Sequence, residues 1–170
     1  MNPEQAAVVA NFLFATFENE AKTTRKVIAA VPEDKHDYRP DPNARTAFEL
    51  AWHLAQADIY FLNGVASGDF SKRVERPAEV KTIADIVAWY DKNLPESLAK
   101  VRALPAEKLT QAIDFHGFFS FPALQYLMVR NNHGIHHRGQ LATYLRPMGA
   151  KVPKIYGGSF DEPMQMAARP

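Results

Sequence analysis

Cysteine is absent from the 170-residue chain, which excludes disulfide staples, thiolate metal sites and a cysteine nucleophile, so any thiol chemistry must borrow a thiol from outside. No stretch approaches the roughly 20 consecutive apolar residues of a membrane-spanning helix, and the first ten residues lack the basic start and apolar run of a secretory leader. The expectation is a cytoplasmic protein with no membrane partner. An excess of one charge is lacking too: 20 Lys and Arg stand against 19 Asp and Glu, and no basic run is longer than Lys72-Arg73. With no strong positive field, nucleic acid is not an expected partner. The motifs H-E-x-x-H, G-x-S-x-G, the P-loop and G-x-G-x-x-G are missing. So are the paired Glu-x-x-His motifs of a di-iron bundle.

What is present is an ordinary globular composition, 46% hydrophobic and 23% charged, long enough for one domain over residues 1–170 with a sizeable core. Val8, Val9, Phe12, Leu13, Phe17, Val27 and Ile28 recur at helical steps and predict a first helix from Pro3 to about Ala30. Three prolines between Val31 and Arg45 predict a long structured loop. Thr46 with Glu49 reads as a capping box opening a second helix to about Ala66, closed by Gly68. Thr82 with Asp85 is a less ideal cap for a third helix through Val101, which Pro95 is expected to kink or break near Asn93. The aromatic run Phe115–Phe121 predicts a short hairpin or extended loop. Pro122 suits the first position of a fourth helix, with Ser120 as a cap candidate, running to about Met148 and ending at Gly149. From Ala150 the tail reads as irregular, with at most one helical turn. Four long helices joined by proline-bearing connections make the fold class all-α, a four-helix bundle.

Three of the six histidines cluster in His133-Gly-Ile-His-His-Arg-Gly-Gln140. His133 and His137 are four residues apart and share one helical face, a spacing that suits two imidazoles converging on one ion. His136, at i+3 from His133, competes with His137, and spacing alone rejects neither. The leading third ligand is His53, which sits mid-helix in an apolar pattern, where a buried imidazole needs a metal or a good hydrogen bond to offset its desolvation. Three neutral imidazoles with an open fourth position describe a catalytic-type divalent site. Gly134 and Gly139 each cost the fourth helix roughly 0.5 to 1 kcal/mol relative to alanine, which close helix approach or substrate access would explain.

With Glu49-Leu-Ala-Trp-His53-Leu-Ala, His133-Gly-Ile-His-His-Arg-Gly-Gln140 and Val152-Pro-Lys-Ile-Tyr156, the chain resembles the DinB/YfiT-like family of metal-dependent four-helix-bundle proteins over nearly its whole length. The resemblance implies His53, His133 and His137 as the metal ligands and demotes His136. It implies a divalent ion, with Zn, Ni and Fe all suited, and a homodimer acting on a small-molecule substrate. It also implies an enzyme of the thiol-dependent S-transferase or hydrolase class, the former with a low-molecular-weight thiol as cosubstrate. A non-catalytic metal-binding or structural module is the alternative.

Around these ligands, Glu49 lies one turn from His53 and is a candidate to orient it, although its role in the capping box competes. Gln56 and Asp58 are weaker candidates, since most charges on such helices face solvent. Arg138 reads as a salt-bridge partner or dimer contact ahead of a substrate contact, and Gln140 belongs to the same motif without an assigned role. Trp52, Tyr60 and the Phe115–Phe121 cluster either line a pocket or fill the core.

Overall fold

The computed structural model describes residues 1–164. Four long helices dominate: α1 (Pro3–Ala29), α2 (Ala47–Ser67), α3 (Ile83–Arg102) and α5 (Ala123–Leu145), with a short α4 (Ala106–Thr110) and a hairpin of β1 (Ala112–Phe115) and β2 (Phe119–Pro122) before α5. Local chemistry explains most of the boundaries. The Thr46 hydroxyl accepts from the Glu49 amide and the Glu49 carboxylate accepts from the Thr46 amide, a closed capping box. Thr82 and Asp85 form an equally complete one, better than their sequence suggested. A third, unforeseen box joins Asn2 and Gln5 at the start of α1. Gly68, at φ 72°, ends α2 in the left-handed conformation that glycine adopts without steric cost.

Three expectations are corrected. Helix α3 does not break at Pro95 but continues to Arg102, and the Asn93 side chain donates to the Trp89 carbonyl, 2.7 Å away, in the turn before the proline. Pro122 stands one position before α5, as its N-cap. Ser120 does not cap that helix, because its hydroxyl donates to the Ile113 carbonyl across the hairpin. The tail has no helical turn among the described residues. It is held by side chains instead: Asp161 accepts from the Val152 amide and from Arg146, and Ser159 donates to the Val152 carbonyl. The part of the tail beyond Met164 lies outside the described residues.

Side-chain pairs reveal the direction of each helix. Arg25 meets Asp91 and Arg102 meets Glu18, so α1 and α3 are antiparallel. Arg130 covers Phe17 and Arg138 reaches Glu20 and Thr24, so α1 and α5 run the same way. His53 faces His133 and His137 while Asp58 meets Arg130, so α5 opposes α2. The bundle is therefore up-down-down-up, with α2 and α3 parallel and a crossover between them that must return along the bundle. That crossover packs Phe70 against α2 at Gly64, where a Cβ would overlap the ring, and carries Arg76 back over Phe48 in the first turn of α2. Glu33 then accepts from the Ile83 and Ala84 amides, tying the loop after α1 to the start of α3.

Two ion pairs built on buried arginines lie inside this frame, the second with a partly exposed carboxylate. Asp58, 1% exposed, accepts from Arg130 Nε at 2.8 Å and from the Tyr90 hydroxyl, joining α2, α3 and α5. The sequence-based view that Asp58 faces solvent is thereby overturned. Arg138, also 1% exposed, pairs with Glu20 and donates to the Glu20 carbonyl and the Tyr156 hydroxyl, joining α5, α1 and the tail. Its reading as a salt-bridge partner holds, within the chain.

Removing one member of a buried pair strands the other charge, at a cost of about 3 kcal/mol or more. Arg138→Ala is expected to lower the unfolding free energy by about 3 kcal/mol in urea titrations. Asp58→Asn should cost at least as much, whereas the double change Asp58→Leu with Arg130→Met should recover part of that loss, because no uncompensated charge remains.

Candidate metal centre

Helix α2 presents His53 and α5 presents His133 and His137 to a common point. His53 Nε2 and His133 Nε2 are 3.0 Å apart. One ring nitrogen from each of the three residues lies within 4.8 Å of the others. The ring centroids are 4.8 Å apart for His53 and His133, 4.5 Å for His53 and His137, and 4.4 Å for His133 and His137. Ligands at zinc-nitrogen distances of about 2.0 to 2.1 Å around a tetrahedral ion stand roughly 3.3 Å from one another, so the rings are close to the spacing of a shared ion. His136, exposed on α5, sets its ring edge-on to that of His137 at 4.8 Å between centroids and does not join the cluster.

The environment keeps these imidazoles neutral, the form that donates a lone pair. Burial, with help from the nearby Arg45 charge and the other two rings, pushes the His53 pKa down to about 3. Burial and the His137 ring bring His133 down to about 4. His137 is also lowered, chiefly by burial, against an opposing hydrogen bond that the ring donates to Gln140.

That hydrogen bond orients the ring. His137 Nδ1 is 2.6 Å from Gln140 Oε1, so Nδ1 carries the proton and Nε2 is left with its lone pair. At His53 the contact is different and longer: the Gln56 amide nitrogen lies 3.4 Å from Nδ1 and 3.4 Å from the His53 carbonyl. The signal was in the sequence as a repeated His-x-x-Gln step, His53 to Gln56 and His137 to Gln140, which places ring and amide on one helical face. Glu49, the carboxylate candidate for orienting His53, serves its capping box instead, the role that competed for it in the sequence. There the Thr46 amide holds its carboxyl below the usual range.

The flanking residues divide between site and core. Phe61 packs on the His133 ring at 5.8 Å. Trp52 borders the cleft that contains His53 and packs against Trp89 at 4.7 Å. Tyr60 belongs to the aromatic cluster with Phe70 and Phe115, its hydroxyl donating to the Phe70 carbonyl. The hairpin is only partly core, since Phe118 is 81% exposed. Gly134 and Gly139 are not demanded by close helix approach. A Cβ at Gly134 would meet Asp58 Oδ1 at an ordinary 3.8 Å, and one at Gly139 would meet open space.

Solved structures share this architecture. A DinB-like protein from Bacillus cereus ATCC 10987 superposes with a TM-score of 0.73 at 24% identity, covering 85% of this chain and 95% of the other. The DinB-like protein YjoA of Bacillus subtilis gives 0.70 at 23% identity, covering 85% and 96%. In sequence, YjoA is 26% identical over 142 residues, which is 82% of this chain and 90% of YjoA. YrdA of Bacillus subtilis is 29% identical over 154 residues, 86% and 87% of the two chains. Residues 6–168 match the DinB family, and with a match over most of its length the chain belongs to that family.

Proposed function

We propose that His53, His133 and His137 hold a divalent metal ion through their ring nitrogens and that the protein is a metal-dependent enzyme acting on a small molecule. The observation that carries this reading is the convergence of three neutral imidazoles from two helices, two of them with a glutamine amide beside the other ring nitrogen. A divalent ion in such a site supplies Lewis acidity, polarising a substrate oxygen or acidifying a water or thiol. Among the described residues no carboxylate joins the cluster. Glu49 is bound by Thr46 and Asp58 by Arg130 and Tyr90. That leaves a coordination position for substrate and favours catalysis over a closed structural site.

The reaction class is thiol-dependent S-transfer or hydrolysis. In a chain without cysteine, S-transfer takes a low-molecular-weight thiol as cosubstrate. Three imidazoles accommodate Zn, Ni and Fe alike. The protein works as a cytoplasmic homodimer in this reading; Val8 and Phe12 on α1 and Met128 on the adjacent α5 are exposed apolar surface that a second copy would cover. No helix among the described residues is long and apolar enough to cross a membrane.

Elemental analysis of untagged protein is expected to find close to one divalent ion per chain, and His53→Ala, checked for helicity, to lose most of it; full metal content in that variant would refute the triad. Protonation supplies a second check. An unfolded histidine binds its proton near pH 6.5 while folded His53 and His133 resist until about 3 and 4. The unfolded state therefore takes up more protons in that interval, and the stability of the metal-free protein should fall as pH drops from about 6.5 towards 4. Urea midpoints followed across this window should fall less steeply in His53→Ala than in the wild type.

A further inference from the structure

The segment before α2 borders two clefts beside the triad. One, of about 490 Å³, is bordered by His53, Trp52 and Gln56. The other, of about 480 Å³, contains His137, Gln140 and Tyr144. Arg45, immediately before the Thr46 cap, borders both. Each volume falls within the range of small-molecule sites.

The first cleft gathers three guanidiniums, those of Arg39, Arg45 and Arg76, against the single carboxylate of Glu49. The charges of Arg39 and Arg45 both reach the Glu49 carboxylate and help to lower its pKa, but none of the three forms a close ion pair among the described residues. Arg39 reaches only the Pro42 carbonyl at 3.5 Å, and Arg76 donates to the Val80 carbonyl while lying over the Phe48 ring. Arg45 makes no hydrogen bond or ion pair among the described residues. Elsewhere arginines are treated differently: Arg25, Arg102, Arg130, Arg138 and Arg146 each pair with a carboxylate. Arg73 is the other described arginine without one, and it borders a different cleft. Three arginines brought from the loop, the start of α2 and the crossover to one concave wall, with their donors left over, form a binding surface for a planar or tetrahedral oxyanion. The chemistry of the triad agrees, because three neutral imidazoles leave the charge of a divalent ion uncompensated and favour an anionic ligand.

We propose that this cleft binds the carboxylate or phosphate of an anionic small molecule, gripped by Arg45 with Arg39 and Arg76, while the reactive end of that molecule extends to the histidine triad. The second half of this statement rests on the metal reading above; the oxyanion site does not.

The test is calorimetric titration of metal-stripped protein at low ionic strength with succinate and with inorganic phosphate, using succinamide as the uncharged counterpart of succinate. Stripping removes any anion affinity due to the ion itself. Saturable binding of at least one oxyanion is expected, no binding of succinamide, and at least a tenfold weakening in Arg45→Gln and in Arg39→Gln of unchanged helicity. Which of the two probes binds distinguishes a carboxylate from a phosphate ligand. The proposal is overturned if neither oxyanion binds the wild type, if succinamide binds as well as succinate, or if folded Arg45→Gln binds as the wild type does. Metal content, measured separately, should be unchanged in Arg45→Gln. A protein that took up no metal yet bound oxyanion through Arg45 would refute the metal reading and leave the oxyanion site standing.

Discussion

The pairing of Asp58 with Arg130 in the middle of the bundle constrains much of the rest. Neither charge has access to water, so each requires the other, and a slip of α5 along α2 by one turn would strand both. Tyr90 adds its hydroxyl to the same carboxylate and so includes α3 in the constraint, its own pKa raised by burial and by Asp58. The Arg130 guanidinium lies 3.2 Å from the centroid of the Phe17 ring, which brings in α1. One ion pair thus touches all four long helices. His53 is five residues before Asp58 and His133 three after Arg130, so the register that satisfies the charges also sets the two imidazoles face to face.

Around the histidines the polar partners are neutral. Glutamine amides stand next to the rings of His53 and His137, where carboxylates would have added negative charge and raised the imidazole pKa values. Burial then keeps the rings unprotonated across the physiological range. The nearby carboxylates are held elsewhere, Glu49 by the start of its helix and Asp58 by Arg130. A site so short of negative charge, with arginines beside it, is organised to receive an anion.

Arg138 shows how residues of one motif separate into different tasks. It lies next to His137 in sequence, but its side chain points the other way around α5, into the interface with α1, where Glu20, Thr24 and the tail's Tyr156 surround it. The segment His137-Arg138-Gly139-Gln140 therefore contributes a ring and its orienting amide to the site, and a buried clamp to the bundle.

The sequence by itself determined the helices, two of their capping boxes, the stop at Gly68 and the hairpin near Phe115–Phe121. These depend on side-chain and backbone contacts within about four residues, which a linear pattern displays. It also put His133 and His137 on one face and made His53 the leading third ligand; the choice of His137 over His136, and the assignment of all three as ligands, came from resemblance to a family. Only the tertiary structure decided that Asp58, Arg130 and Arg138 are buried, that Gln56 and Gln140 are the groups beside the rings, that α3 continues through Pro95, and that three arginines gather on one cleft. The reason is that a charged residue on a helix looks the same in sequence whether it faces water or a partner 72 positions away. Its partner is selected by how whole helices pack, and that information is not local.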